Sequence, residues 1–468
     1  MDHSEAITFG TDGWRAPLET FTDDRVRVVA QAVADHLRET LSEPLDSAVV
    51  VGYDTRETSE GFAESVAEVL AGNGFDAVLP ERDCPTPVAA TSVVERDAAG
   101  AVVITASHNP PEYNGVKFIP ADGAPALPEV TADIETHLGP PESLPAGDHG
   151  SVTRENLVET HAARARAVVA ETVPDLDLSG LTVAYDAMHG SGRGVTDRLL
   201  ESAGAEVTRL RCDDDPTFGG EPPEPSADHL GDLVETVREG PADIGVANDG
   251  DADRLAIVTP ERGVLDENLF FAATYDHLLD ERSGPAIRTV STTFLIDRIA
   301  EAHGEAVIET AVGFKWVAAG MADHDALMGG EESGGFSLRG HVREKDGVLM
   351  ALLACAAEAA ESYDDRVDRL TATHGDIVAG KVSVDCPDDE KSRVVHDLGS
   401  HLPDAVAGRA IDEVVTLDGF KLLLEDGSWL LVRPSGTEPV LRVYAEADSQ
   451  ETVDELLAEG RDLVAPLV

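Results

Sequence analysis

Short apolar runs that end in polar loops and give way to helix-length stretches recur along most of this chain, and that alternation restricts the fold more than any other feature. Ala48-Val49-Val50-Val51 leads into Gly52-Tyr53-Asp54-Thr55-Arg56, and a helix is expected from Ser59, as its N-cap, to Leu70. Ala77-Val78-Leu79 and Ala101-Val102-Val103-Ile104 read as further buried strands, with a helix over 23–41 ahead of them. Strands separated by helices of this length form βαβ units around a mainly parallel sheet.

The pattern restarts. A break in composition from Gly139-Pro140-Pro141 to Gly150 closes a first unit, 1–150. A second, 151–258, opens with a helix expected over 154–171 and carries strands at 181–185, 244–247 and 255–258. Its Gly190-Ser191-Gly192-Arg193-Gly194 does not match the GxGxxG dinucleotide fingerprint. A third, 259–370, has a strand at 287–290 and helices at 268–279, 295–303 and 347–361. From about Lys381 the chain turns to short strands at 381–384, 413–417, 421–424 and 429–432 and a closing helix, so 371–468 reads as α+β. At 468 residues the chain is too long for one core, and 42% hydrophobic content supplies several.

Ninety acidic residues against 35 basic ones give a net charge of −55. A surface of this kind repels nucleic acid and anionic membranes, which removes both as partners. No apolar run approaches the roughly 18 residues of a membrane span. Met1-Asp2-His3-Ser4-Glu5 lacks the basic and apolar regions of a signal peptide. Cys84, Cys212, Cys355 and Cys386 are scattered with no CxxC, so reduced thiols and a cytoplasmic location are expected. Only six lysines occur, at 117, 315, 345, 381, 391 and 421. Those inside motifs, Lys117, Lys315 and Lys345, therefore gain weight as compact positive charges.

Four loops could carry chemistry. Thr105-Ala106-Ser107-His108-Asn109-Pro110 ends the strand 101–104, where α/β sheets place reactive groups, although Ser and Asn also simply make turns there. Asn248-Asp249-Gly250-Asp251-Ala252-Asp253-Arg254 lies between two apolar strands. Read as extended, it points Asp249, Asp251 and Asp253 one way, an all-oxygen set suited to Mg²⁺; a solvated acidic turn is the plainer reading. Gly330-Glu331-Glu332-Ser333-Gly334-Gly335 offers acceptors and a donor for sugar hydroxyls, or surface solvation. Arg433-Pro434-Ser435-Gly436-Thr437 suits a phosphate dianion, or is an ordinary Pro-Ser-Gly turn.

Together and in this order, TASHNP, DGDADR, GEESGG and RPSGTEP resemble the α-D-phosphohexomutase family of phosphoglucomutases and phosphomannomutases. The resemblance implies three similar α/β domains with mixed, mostly parallel sheets and a C-terminal α+β domain of TATA-binding-protein type around a central cleft. It implies a phosphoserine at Ser107, with Ser107, Asp249, Asp251 and Asp253 holding Mg²⁺. Lys117, Arg15 and Arg254 become the cations of the catalytic centre, with Lys117 as general base or phosphate stabiliser. Substrate contacts fall on His108, Lys315, Glu331, Ser333, Lys345, Arg433, Ser435, Gly436, Thr437 and Arg442. The implied reaction interconverts hexose 1-phosphate and hexose 6-phosphate through a hexose 1,6-bisphosphate, in a monomer or homodimer whose partner is a small-molecule sugar phosphate. Glu332 leans the sugar towards glucose, with mannose next. A phosphoglucosamine mutase, a Mg²⁺-dependent sugar phosphatase and a non-catalytic sugar-phosphate sensor are the alternatives. Many relatives carry a His where this chain has Gly335, and His341 or Lys345 is expected to substitute.

The self-repulsion of the surface points to a salt-adapted, halophilic protein, because molar salt shortens the screening length to about 3 Å. Thermal melts across a KCl series should show a midpoint that climbs with salt; a midpoint that does not move removes this reading.

Overall fold

The apolar runs at 48–51 and 101–104 lie side by side. In the computed structural model, which describes residues 6–10, 13–41, 47–174, 176–436 and 438–468, Ala48–Tyr53 pairs in parallel with Gly100–Ile104 on one edge and Asp76–Pro80 on the other. The sheet order is Trp14–Pro17, Tyr113–Pro120, Gly100–Ile104, Ala48–Tyr53, Asp76–Pro80 and Val152–Glu155. Both faces of the central strands are covered, which is why 48–51 and 101–104 are apolar at every position. Val49 and Val51 pack with the helices Asp23–Thr40 and Ser59–Gly72, while Val50, Ala101 and Val103 pack with Thr86–Glu95.

The second sheet runs Gly263–Val264, Leu255–Thr259, Ile244–Asn248, Thr182–Asp186, Glu206–Leu210, and the third Val307–Thr310, Ala286–Thr289, Met328–Gly330, Phe336–Leu338. Each has parallel central pairs and at least one antiparallel edge. The fourth sheet is antiparallel throughout. One of its faces is covered by Asp388–Gly399 and Gln450–Val464. The other carries Trp429, Leu431 and Tyr444 against Val290 and Phe294 of the third unit.

The helix Gly347–Ala360 joins the second and third units. Residues 347–357 are all buried, and the helix packs on Val158–Thr172, Thr196–Ser202 and the strands on either side of the aspartate loop. A helix apolar on every face needs neighbours on every side, so a single core runs through both units.

Local readings differ from expectation in three places. Ser59 does not cap its helix; its hydroxyl is buried and donates to Asp54 Oδ1 at 2.6 Å, and Thr58 takes the cap position without a side-chain bond to the helix. Residues 152–155 extend the first sheet instead of starting a helix, which begins at Val158. The sheets also run past the expected breaks at 150 and 258, through strands Val152–Glu155 and Gly263–Val264, and the helix Tyr363–His374 spans 370. Strands this short leave no apolar run to read: Gly263–Val264 has two residues, and Val152–Glu155 has four, mostly exposed. Among the described residues no helix is long and apolar enough to cross a membrane.

Leu353 is fully buried in the shared helix. Leu353→Ala should cost about 2–5 kcal/mol in denaturant unfolding; a loss below about 0.5 kcal/mol would show that the shared core is not rigidly packed.

Candidate active site

Ser107 follows the strand Gly100–Ile104 and adopts φ +52°, in the left-handed region that a serine enters at a cost. Its surroundings impose this. Thr105 Oγ1 accepts from the Ser107 amide at 2.8 Å and donates to Asp54 Oδ2 at 2.7 Å. The buried Arg56 guanidinium donates to the carbonyls of Ser107 (2.8 Å), Asn109 (2.6 Å), Pro110 (2.6 Å) and Tyr113 (3.0 Å), and pairs with Asp54 at 3.0 Å. Five strong donors on a planar fork suit this task in a way a lysine could not match. Asp54 and Arg56 stand at the end of the neighbouring strand, in a motif to which the sequence assigns no role. Their strand-end position is the same signal that singles out Ser107.

The aspartates converge, but by a different route from the extended one expected. Residues 249–252 form a turn closed by the Ala252 amide on the Asp249 carbonyl at 3.0 Å, with Ala252 at φ +52°. The strands Ile244–Asn248 and Leu255–Thr259 hold that turn at the tip of an antiparallel pair. All three carboxylates are buried, with ligand-capable oxygens within 4.8 Å of one another. Ser107 Oγ donates to Asp249 Oδ2 at 2.7 Å, so the first and second units meet at the serine.

Like charges this close need compensation. Burial and the charges of Asp251 and Asp253 push Asp249 well above the usual carboxylate range. Burial opposes ionisation of Asp251 too, yet Lys117, with Thr86 and Arg15, holds it below its ordinary value. Lys117 Nζ lies 3.0 Å from Asp251 and 2.9 Å from Asp253; Lys345 Nζ lies 3.3 Å from Asp253; Thr86 Oγ1 donates to Asp251 at 2.6 Å. Asp251 Oδ1 and Asp253 Oδ1 are buried without hydrogen-bond partners among the described residues. Two orphaned carboxylate oxygens in an all-oxygen set are what a hard divalent cation such as Mg²⁺ satisfies. Arg15 Nη1 donates to Asn109 Oδ1 at 3.2 Å beside the serine. His108 Nδ1 lies 3.3 Å from Ser107 Oγ, and Arg254, burial and Arg15 push its pKa well down, leaving a neutral imidazole.

The third and fourth loops reach the same region. Leu255 N donates to Gly334 O at 3.0 Å, which sets the 330–335 loop beside Arg254; the Arg254 Nε–H is buried and unpartnered among the described residues. Glu331 Oε1 accepts from Gly313 N at 2.8 Å, while Ser333 is exposed. Burial and Glu332 push Glu331 up to about 7. Lys315 sits half-buried in the first turn of Phe314–His324. In the fourth unit Arg433 Nε pairs with Asp418 at 2.8 Å and has Glu332 among its charged neighbours. Lys391, a residue without a motif, fastens the following loop by donating to Ser435 O at 2.7 Å and Glu438 O at 2.5 Å. Arg442 lies across from Arg433 in the sheet and pairs with Glu438. Gly436 follows Ser435 on this loop, and Thr437 lies outside the described residues.

Comparison with known proteins agrees with this layout. The chain matches the family models of phosphoglucomutase/phosphomannomutase domains I, II, III and IV over residues 6–142, 165–263, 266–374 and 382–463. The chain belongs to the phosphoglucomutase/phosphomannomutase family. It is 33% identical over 97% of both chains to a protein of Methanopyrus kandleri named a probable phosphoglucosamine mutase. It is 31% identical to a phosphoglucomutase/phosphomannomutase of Thermococcus kodakarensis, covering 97% of this chain and 98% of that one. A solved structure from Thermus thermophilus, described as a phosphomannomutase, superposes with a TM-score of 0.84 at 32% identity, over 98% of this chain and 99% of that one.

Within this phosphohexomutase the site around Gly335 is filled by Lys345. A Cβ on Gly335 would lie 2.5 Å from Lys345 Cδ, so a histidine there would require this lysine to leave its present conformation. His341 is not available for the role. Its Nε2 and that of His161 both sit on Asp346 Oδ2, at 2.7 and 2.6 Å, with all three residues buried. These are hydrogen-bond lengths; ligands of a tetrahedral ion at about 2.0–2.1 Å would stand about 3.3 Å apart, so the trio is a latch and not a metal site.

Glu331 supplies a pH signature. Its folded pKa of about 7 exceeds the ordinary 4.5, so between these values the native state binds the extra proton and stability falls as pH rises. Relative to wild type, ligand-free Glu331→Gln should gain up to about 3 kcal/mol between about pH 4 and about pH 8 in urea melts. A difference independent of pH would place an ordinary carboxylate at this position.

Proposed function

We propose that this phosphohexomutase interconverts glucose 1-phosphate and glucose 6-phosphate through a phosphorylated Ser107. The observation that carries the reading is the Ser107 Oγ hydrogen bond to Asp249 inside the aspartate cluster, with Arg254 linking that cluster to the sugar loop. Arg433, Ser435 and Gly436, with Thr437 beside them in sequence, bind the phosphate that does not react, and Glu331 and Ser333 accept and donate to sugar hydroxyls. So anchored, a hexose 1-phosphate presents its 6-hydroxyl to phospho-Ser107. The O6–P bond forms as the Ser107 Oγ–P bond breaks, and the hydroxyl proton leaves to a nearby base. The resulting 1,6-bisphosphate reorients, the Ser107 Oγ–P bond re-forms as the O1–P bond breaks, and the base returns its proton to O1.

Charge decides the division of labour. Phosphoserine adds about −1.5 to −2 to three aspartates, and Asp249, Asp251 and Asp253 are the residues that would hold Mg²⁺, which supplies Lewis-acid stabilisation of the transferring phosphoryl group when bound. Lys117, Arg15, Arg254 and Lys345 make up the remaining charge. Lys117, already between two carboxylates, fits the counter-charge role better than the general-base role. His108, kept neutral beside Ser107 Oγ, is the better placed proton carrier. Closure of four units over the substrate excludes water, which disfavours net hydrolysis.

The sugar has a second reading. Relatives named phosphoglucosamine mutase and the adjacent carboxylates Glu331 and Glu332 fit a sugar ammonium as well as hydroxyls.

Turnover of glucose, mannose and glucosamine 1-phosphates is the test, with Mg²⁺, a trace of the matching 1,6-bisphosphate and molar KCl. Glucose 6-phosphate should form fastest, and Ser107→Ala should lower the rate by at least about a thousandfold while leaving the melting point within a few degrees. Faster glucosamine turnover moves the substrate to the amino sugar. Free phosphate would indicate a phosphatase, and no turnover a sensor.

A further inference from the structure

Asp418 stands outside all four motif loops, yet it touches two of the units they come from. It lies in the bend between Arg409–Val415 and Phe420–Leu424. The next residue, Gly419, has φ +80°, and a Cβ there would lie 2.2 Å from Val432 O and 2.8 Å from Arg433 Cα. Only glycine lets the bend press this closely on the strand that carries Arg433. One oxygen of Asp418, Oδ2, then accepts from Arg433 Nε at 2.8 Å and from the backbone amide of Val312, in the third unit, at 3.2 Å. The adjacent amide, Gly313 N, donates to Glu331 Oε1 at 2.8 Å. A continuous path of hydrogen bonds therefore runs from the guanidinium of the anion loop through Asp418 and the 312–313 backbone to the carboxylate of the sugar loop.

We propose that Asp418 is a positioning residue that couples phosphate binding at Arg433 to the placement of the sugar-clamping Glu331. The inference rests on reading Arg433 as the phosphate ligand. Pinning Nε fixes the plane of the guanidinium, so its terminal amino groups meet a dianion without first losing rotamer freedom. The same carboxylate fixes the 312–313 backbone, and with it the donor that orients Glu331. Phosphate arriving at Arg433 is felt at the sugar loop because Arg433 Nε and the Val312 amide, one residue before the donor to Glu331, share Asp418 Oδ2.

The alternative is a merely structural tie between the third and fourth units. Such ties exist nearby: Lys421 Nζ pairs with Glu309 at 2.6 Å, and Glu446 Oε1 accepts from Phe294 N at 3.0 Å. With these intact, losing Asp418 need not undock the fourth unit.

The test uses the full chain with Asp418→Asn, which keeps shape and removes charge, and Asp418→Ser as a second variant. Calorimetric titration with inorganic phosphate should show binding weakened about tenfold in Asp418→Asn, as expected for loss of a charge-assisted bond. In glucose 1-phosphate turnover KM should rise about tenfold while kcat stays within about threefold. The KM effect of Glu331→Gln should also be smaller in the Asp418→Asn background than in wild type. Unchanged phosphate affinity and KM in both Asp418 variants overturn the proposal, and strictly additive effects with Glu331→Gln overturn the coupling. A wild-type protein that binds no phosphate would instead overturn the reading of Arg433.

Discussion

Three buried carboxylates within a few ångströms of one another are unstable unless positive charge surrounds them, and the rest of the site is arranged around that requirement. Lys117 comes from the first unit, Lys345 from the third, and Arg254 from the aspartate loop's own end. In a chain with six lysines and a net charge of −55, two of the six stand on these aspartates. The composition that keeps the surface anionic thus makes the interior cations scarce and specific. A buried cluster whose partners come from different units also ties those units together, since removing one partner leaves an uncompensated charge in a dry interior.

A second constraint is conformational. Ser107 occupies a backbone region that its side chain disfavours, and the Arg56–Asp54 pair overdetermines that conformation by engaging four carbonyls of the loop. The serine is thereby aimed at Asp249 before any substrate arrives, as preorganised electrostatic catalysis requires. His161, His341 and Asp346 do similar work behind Lys345, joining a helix of the second unit to the segment that carries the lysine.

Strand positions are legible in the sequence because central strands covered on both faces must be apolar throughout, as 48–51, 101–104 and 244–247 are. Val152–Glu155 and Gly263–Val264 are not, because one edge strand is mostly exposed and the other is only two residues long, too short to carry a pattern. The motif loops stand out because their residue types are chemically special. The aspartates converge as expected, but a turn with Ala252 in a left-handed conformation brings them together, and period-two alternation does not. Arg56, Thr86, Lys391 and Asp418 escape notice because each acts by holding backbone or another side chain, a role defined only by neighbours distant in sequence. Gly335 and Lys345 show the same limit: that one makes room for the other is visible only in space.

The central claim is that Ser107 alone carries the transferred phosphoryl group. Intact-protein and peptide mass spectrometry after incubation with glucose 1,6-bisphosphate and Mg²⁺ tests it most directly. The account predicts one phosphoryl group, located on Ser107 and lost when excess glucose 1-phosphate is added. A stoichiometric phosphoryl group on any other residue, or turnover by a protein whose Ser107 never becomes modified, would contradict it.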